Sequence, residues 1–220
     1  MNREEIIEKT KGYVKEKFEG EGSGHDWWHI YRVWRNALVI GEKERADLFV
    51  CQLGALLHDI ADFKFYGGDF SIGGKVAREY LESMNVIEDV VSHVCEIVEN
   101  ISFKGKNMER DMRTIEGKVV RDADRLDAIG AIGIARCFAY GGSKGRVLYN
   151  PEGEVKEHEN IESYLKGADS SLHHFYEKLL HLKNLMLTST GRKMAEERHK
   201  FMEIYLERFL KEWSGELPHQ

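Results

Sequence analysis

Two short clusters of imidazole and carboxylate side chains are the part of this sequence best suited to chemistry. They consist of His25, Asp26 and His29, and of His58, Asp59 and Asp62. Imidazole and carboxylate groups together suit a borderline divalent metal ion, because neither a trio of thiolates nor an all-oxygen cage is present beside them. We therefore predict that the two clusters are halves of one metal site.

Each cluster lies beside a helical pattern. Apolar residues recur every three to four positions over residues 30–38, after the first cluster, and over residues 46–60, around the start of the second. This spacing predicts that the two histidines of the first cluster stack one turn apart on one helix face. It also predicts that His58 and Asp62 project from the last turn of the next helix.

A His-Asp dipeptide at the end of a helix is commonly no more than a polar cap. Here, however, His58 and Asp59 directly follow the almost unbroken apolar run of residues 53–57. An ionisable pair is costly to bury in such surroundings unless it is paired or bound to a metal. The context therefore favours the metal site over the simple cap.

A third group of acidic residues follows the apolar pair Val119-Val120. It comprises Asp122, Asp124 and Asp127, and we predict that it opens a helix whose apolar face continues to residue 137. Acids at the start of a helix are favourable to its macrodipole, so each aspartate has a purely structural explanation. As a group, they are also the natural source of one more metal ligand, and both interpretations stay open at this point.

Composition excludes several classes of protein. A net charge of -6 and a pI near 6.0 argue against stable nucleic-acid binding, which needs a strongly basic surface. The three cysteines, Cys51, Cys95 and Cys137, are far apart and set in apolar patterns, as expected of reduced thiols. Neither an apolar leader nor an apolar run of about 18 residues is present. We therefore expect a cytoplasmic protein that does not associate with membranes.

Helical periodicity extends along most of the chain, and no segment is typical of a strand. We predict one all-α domain over residues 1–220, because 42% hydrophobic residues suffice for a packed core and no linker divides the sequence. Its predicted parts are an opening helix at 2–19, a core at about 20–140, a glycine-rich loop or lid at 141–160 and C-terminal helices within 161–215, namely 161–187 and 192–213.

Several motifs together resemble the HD-domain superfamily of metal-dependent phosphohydrolases. His29, then His58-Asp59, then Asp124 match the H…HD…D signature in order and in helical placement. More narrowly, the runs at 24–29, 58–65 and 100–105 and the region 174–178 resemble a small bacterial and archaeal subfamily of HD hydrolases. Some members of that subfamily are nucleotide pyrophosphohydrolases. The resemblance covers most of the chain and implies an HD-domain helical bundle with additional C-terminal helices.

Carried over by position, the resemblance implies that His29, His58, Asp59 and Asp124 are the metal ligands. Two imidazoles and two carboxylates suit manganese, nickel, cobalt, zinc or magnesium, and we expect manganese. His25 is then expected to support a ligand rather than to bind the ion, unless it merely starts the helix.

The resemblance also suggests which residues act on the substrate. Asp62 aligns with an acid that takes a proton from the attacking water in related HD hydrolases, so we expect it to be the general base. Lys64, Lys104 and Arg125 are expected to contact phosphate oxygens, although each has the alternative of being a solvated surface cation. Aromatic residues near the clusters, Trp27, Trp28, Phe65 and Tyr66, are either base-stacking groups or core residues.

The expected function is hydrolysis of a phosphate ester or anhydride bond of a small nucleotide, with a (d)NTP pyrophosphohydrolase as the specific case. One alternative is a non-catalytic sensor that binds a metal or a nucleotide. Another is an HD phosphodiesterase that acts on RNA or on a cyclic (di)nucleotide. The filled signature positions favour an enzyme, and the acidic net charge counts against RNA. A homodimer is left open.

Overall fold

Helices dominate the part of the chain that the structure describes. The structure is a computed structural model, and it describes residues 1–20, 26–61, 72–101, 112–155 and 169–215. Within these ranges there is no β-strand, and Val147 and Ser170 form an isolated parallel bridge. The predicted all-α class is confirmed. None of the helices in these ranges has both the length and the apolar character needed to cross a membrane.

The helices begin where side-chain oxygens accept hydrogen bonds from the first free backbone N–H groups. Asn2, Asp26, Asp47, Thr114 and Thr188 cap five of the helices in this way. In chain order the helices are α1 (Arg3–Lys17), α2 (Trp27–Glu44), α3 (Leu48–Leu57), α4 (Ile72–Ser83), α5 (Glu88–Ile101), α6 (Ile115–Asp127), α7 (Gly130–Ser143), α8 (His173–Glu177), a 3₁₀ helix (Leu179–Leu185) and α9 (Ser189–Ser214).

The segment that follows Val119 differs from its prediction. It is not the start of one long helix, because α6 ends at Asp127 and α7 begins at Gly130. Gly130 has φ +74°, a backbone conformation that side chains disfavour, and an added Cβ there would lie 3.0 Å from the side chain of Arg198. The three aspartates therefore lie in the last turns of α6 rather than in the first turn of a helix.

The C-terminal third of the chain also differs in part from its predicted helices. Residues 169–187 hold the short helix α8 and the 3₁₀ helix instead of the end of one long helix. Residues 141–143 belong to α7, so the predicted loop or lid starts later than expected. The remainder of that loop includes residues 156–160, which lie outside the described residues, and its role as a lid stays a prediction.

A continuous apolar core holds the helices together. Helix α2 packs on α3 and α6, α4 pairs with α5, and α9 packs on α7, α6 and α2. Burial of apolar side chains contributes most of the stabilisation in such an arrangement. The largest fully buried side chains include Ile30, Leu53, Leu56, Leu57, Ile97, Leu126, Leu172 and Phe175.

A glycine sets the distance between two of the central helices. A Cβ added at Gly54 of α3 would lie 3.2 Å from Val120 Cγ2 of α6 and 3.3 Å from Ile97 Cγ2 of α5. His58 lies one helical turn after Gly54 at the end of α3, and Asp124 lies one helical turn after Val120 on α6. The close approach at Gly54 therefore brings the ends of α3 and α6 together.

Gly54→Val tests this close approach. We expect the free energy of unfolding to fall by about 1–3 kcal/mol, because the added methyl groups overpack the core. Gly12→Val is the matched control, since Gly12 is also helical but an added Cβ there meets nothing within 4 Å. We expect the control to change the free energy by less than about 0.5 kcal/mol. Equal effects in urea denaturation would contradict the role of Gly54.

Candidate metal site

Helix α2 presents His29 from its first turn. Asp26 is the N-cap, and its side chain accepts a hydrogen bond from the backbone N–H of His29 at 2.8 Å. The side chain of His29 is 2% exposed. Helix α2 begins at Trp27, so the predicted stacking of His25 and His29 on one helix face falls outside the part of the chain that the structure describes and stays a prediction. His25 itself lies outside the described residues.

The end of α3 presents the second cluster. His58 is the C-cap residue, and its Nδ1 donates a hydrogen bond to the backbone oxygen of Ala55 at 2.8 Å. Asp59 follows in a turn, with its side chain 25% exposed. His58 therefore caps the helix and also faces the other cluster. Asp62 lies outside the described residues.

Helix α6 presents Asp124 one turn before its C-terminal end. This corrects the prediction that the aspartates open a helix. Negative charge near a C-terminus is unfavourable to the macrodipole, so the simple structural explanation for these acids does not hold. The carboxylates near the end of α6 need other positive groups to stabilise them.

The three segments meet at one point. The Nε2 atoms of His29 and His58 are 3.2 Å apart. Asp59 Oδ2 lies 3.5 Å from His29 Nε2 and 3.4 Å from His58 Nε2, and Asp124 Oδ1 lies 3.6 Å and 3.8 Å from the same two nitrogens. The structure therefore brings together all four residues that the sequence singled out as ligands.

These separations fit a shared ion. A metal–ligand distance of about 2.1 Å places neighbouring ligand atoms about 3.0 Å apart in an octahedral site and about 3.4 Å apart in a tetrahedral one. Ligand atoms of His29, His58 and Asp59 all lie within 4.8 Å of one another. The donor set of imidazole nitrogens and carboxylate oxygens fits a divalent cation without rearrangement of the helices.

The hydrogen bonds on the far side of each ring strengthen this conclusion. His58 Nδ1 must carry a proton, because its partner, the carbonyl of Ala55, only accepts. His29 Nδ1 likewise faces a carboxylate, Asp127 Oδ2, at 2.7 Å. In the neutral rings both Nε2 lone pairs therefore point at each other across 3.2 Å, an arrangement that is repulsive unless a proton or a metal cation lies between them.

The surrounding charges favour such a cation. Burial opposes a positive charge on His58, but the carboxylates of Asp59 and Asp124 outweigh it and raise the pKa of His58 to about 9. Burial likewise opposes charge on His29, while hydrogen bonds to Asp127 and Asp59 dominate and raise its pKa. The same carboxylates would stabilise a divalent ion bound by the two imidazoles.

Asp127 is a site residue whose role was not predicted. It is 1% exposed and accepts hydrogen bonds from His29, Arg32 and Arg136. Burial alone would raise the pKa of Asp127, but the hydrogen bonds from His29 and Arg32 and the nearby charge of Arg136 hold it well below its usual range. The available signal was its spacing, because Asp124 and Asp127 are three residues apart and so share a helix face.

The remaining predicted residues fall into two groups. Arg125 is 8% exposed and donates to the backbone oxygen of Leu185 on the 3₁₀ helix, and its predicted contact with phosphate stays a prediction. Lys64 and Lys104 lie outside the described residues, as do Phe65 and Tyr66. Trp28 is 60% exposed, and its ring packs edge-on against Tyr31.

Comparison with known proteins agrees with this geometry. The family model of the HD domain matches residues 27–129, a span that contains the four converging residues. The uncharacterized Bacillus subtilis protein YpgQ is 38% identical over 209 residues, which cover 94% of each chain. The chain belongs to the HD domain family. HD domains bind divalent metal ions, so the family and the grouping of His29, His58 and Asp59 point to the same kind of site.

Solved structures of relatives share the whole fold. An HD-superfamily hydrolase from Bacillus thuringiensis is 44% identical, covers 97% of this HD-domain chain and 99% of its own, and superposes with a TM-score of 0.78. Bacillus subtilis YpgQ in complex with ADP is 38% identical, with coverage of 94% and 97% and a TM-score of 0.74. The first of these supports hydrolase activity in general, and the second shows that YpgQ binds a nucleotide.

His58→Ala tests the metal site. It removes one of the converging donors, so we expect manganese binding, measured by calorimetry on chelator-treated protein, to be lost. The rise in melting temperature on adding the ion should disappear with it. Far-UV circular dichroism should stay close to wild type, because the helices bury their own apolar faces.

His93→Ala is the matched control for this prediction. His93 is a partly buried histidine whose Nε2 lies 2.8 Å from Thr114 Oγ1, at the opposite end of α6 from Asp124. We expect this variant to bind manganese as the wild type does. Full metal occupancy in His58→Ala would contradict the site.

Proposed function

We propose that this HD-domain protein is a metal-dependent phosphohydrolase that cleaves a phosphate ester or anhydride bond of a nucleotide, with a (d)NTP pyrophosphohydrolase as the specific form. The observation that carries the proposal is the convergence of two imidazole Nε2 atoms at 3.2 Å, flanked by two carboxylates within 3.8 Å. Together with the hydrolase relatives, this arrangement supports hydrolytic chemistry.

The proposed ligands are His29, His58, Asp59 and Asp124. Their mixed nitrogen and oxygen donors suit manganese, nickel, cobalt, zinc or magnesium. Manganese is the ion that we propose. Asp59 and Asp124 are 25% and 33% exposed, whereas both histidines are buried. The carboxylate side of the site therefore faces outward, where a substrate would approach.

A divalent ion bound here supplies a lowered pKa for a coordinated water and positive charge close to the phosphoryl group. The protein's own residues do the rest. Asp62, the last residue of the second cluster, is proposed to take the proton of the attacking water. Lys64 and Lys104 are proposed to contact phosphate oxygens and to offset their negative charge. His25 is proposed to support a ligand rather than to bind directly.

The nucleotide part of the proposal rests on two observations. The relative YpgQ was crystallised with ADP. In this chain, the exposed Trp28 adjoins His29, and its ring is held edge-on by Tyr31 at a centroid distance of 5.9 Å. An exposed, laterally supported indole offers a flat face on which a base can stack. A small nucleotide accounts for both observations.

An assay of substrates and products tests the proposal. Chelator-treated protein is reloaded with manganese and incubated in parallel with nucleoside and deoxynucleoside tri-, di- and monophosphates, and the products are separated. We expect triphosphates to yield monophosphate and pyrophosphate, with no turnover in excess chelator. Metal and nucleotide binding without turnover of any of them would contradict the enzyme and favour a sensor.

Asp62→Asn separates proton transfer from metal binding. Asparagine keeps the shape of the side chain but cannot accept the proton, so we expect the turnover number to fall by about 10²- to 10⁴-fold. Metal content and the Michaelis constant should change little. Asp59→Asn is the control, because it should weaken metal binding itself. A turnover number within about threefold of wild type at saturating metal would contradict the role of Asp62.

A further inference from the structure

We propose that Asp127, held by Arg32 and Arg136, is a positioning residue that fixes the His29 ring and thereby sets the affinity of the site for its metal ion. This inference rests on the proposed function, because it takes His29 to be a ligand. It goes beyond that function because it assigns a positioning role to Asp127, Arg32 and Arg136, which do not themselves face the ion.

The contacts of Asp127 span three helices. Its Oδ2 lies 2.7 Å from His29 Nδ1, and its two oxygens accept from Arg32 Nε at 2.6 Å and Arg32 Nη2 at 3.0 Å. Arg136 Nη1 of α7 adds a further bond to Oδ2 at 2.6 Å. Both carboxylate oxygens are therefore engaged, and charged groups from α2 and α7 meet the end of α6.

Charge explains why two arginines surround one acid. Asp127 is the last residue of α6, where the macrodipole is negative and a further negative charge is unfavourable. It is also buried, where an unpaired carboxylate is costly. The guanidinium groups of Arg32 and Arg136 offset both costs, and Arg198 of α9 donates to the backbone oxygen of Leu126 beside them. The acid is thus kept ionised in a fixed orientation.

The ionised and immobile carboxylate of Asp127 affects the His29 ring in two ways. It keeps the proton on Nδ1, so the lone pair on Nε2 points into the site, and it makes that nitrogen a stronger donor to a metal. His58 has a weaker support, because its Nδ1 donates to the uncharged carbonyl of Ala55. The two imidazoles are therefore not equivalent, and His29 is expected to contribute more to metal affinity.

The same design recurs on two helices. On α2, Arg32 follows His29 by three residues, and on α6, Asp127 follows Asp124 by three residues. Residues three apart on a helix lie on one face, one turn above the other. Each helix thus presents a proposed ligand and, one turn later, the charged residue that supports His29. The three-residue spacing on α2 and on α6 therefore places Arg32 and Asp127 next to the proposed ligands.

Asp127→Asn tests the inference. We expect the manganese dissociation constant, measured by calorimetry on the chelator-treated full chain, to rise by about 10- to 100-fold. Nitrogen-15 NMR of the imidazoles gives a second readout that does not depend on activity. His29 should show protonated Nδ1 in the wild type and a mixture of tautomers in the variant.

Asp122→Asn is the matched control. Asp122 is also a buried aspartate of α6, but it accepts bonds from Thr188 and the backbone N–H of Leu187 and has no contact with His29 in the described structure. We expect this control to lose stability while its manganese dissociation constant stays within about threefold of wild type. A purely structural role for Asp127 would make the two variants alike.

Arg136→Gln provides a second variant in case Asp127→Asn does not fold. It leaves Asp127 and His29 in place, and we expect a smaller rise in the dissociation constant in the same direction. Wild-type affinity and an unchanged His29 tautomer in the folded variants would overturn the inference. Absence of metal binding by the wild type would instead overturn the proposed function, so the two failures are distinguishable.

Discussion

Two imidazole lone pairs that meet inside an apolar core constrain much of the structure described above. His29 and His58 each donate a proton on the outer side of the ring, which leaves their Nε2 atoms facing each other. Such a contact is favourable only with a proton or a metal cation between the rings, and Asp59 and Asp124 supply the matching negative charge. The helices around the site have to hold four polar groups within a few ångströms against the cost of burying them.

The end of α6 shows how that cost is offset. Asp124 and Asp127 lie where the helix macrodipole disfavours negative charge, so the helix alone would not favour them there. Arg32 and Arg136 compensate Asp127, while a cation at the site would compensate Asp124. The arrangement sacrifices local helix stability for a fixed set of donors, as functional sites commonly do. The surrounding apolar core provides the stability that this requires.

The sequence predicted the fold class and the family well, because both depend on local patterns. Helical periodicity and capping residues are short-range features, and the residues that match the HD signature converge in space as expected. The break between α6 and α7 was missed because apolar spacing continues across it from Leu126 to Ile129. The helix pattern is broken at Ile129, whose backbone is extended with φ -128° and ψ 167°. The next residue, Gly130, has a positive φ and leaves no room for a Cβ beside Arg198, a residue far along the chain.

The supporting contacts were harder to predict for a related reason. Asp127 meets His29 and Arg32 across separations of 98 and 95 residues, so its spacing from Asp124 could indicate a shared helix face but not these partners. The surroundings of Arg125 were equally hard to foresee: no feature of the sequence indicated that this cation beside an acidic motif is buried and donates to the backbone of Leu185. In both cases the outcome depends on how α6 is rotated relative to its neighbours, which periodicity within one helix does not determine.

The rotation of α6 relative to its neighbours also connects the C-terminal helix α9 to the candidate metal site. Asp122 faces α9 and accepts bonds at its N-terminal cap, whereas Asp124 and Asp127 face α2. Residues two apart on a helix are separated by about 200° of rotation. Helix α6 can therefore present Asp122 to α9 and Asp124 to α2. Arg198 of α9 adds a second connection at Leu126. Because a helix moves as a rigid element over so few residues, α9 helps to fix the position of the carboxylates although it supplies none of the proposed ligands.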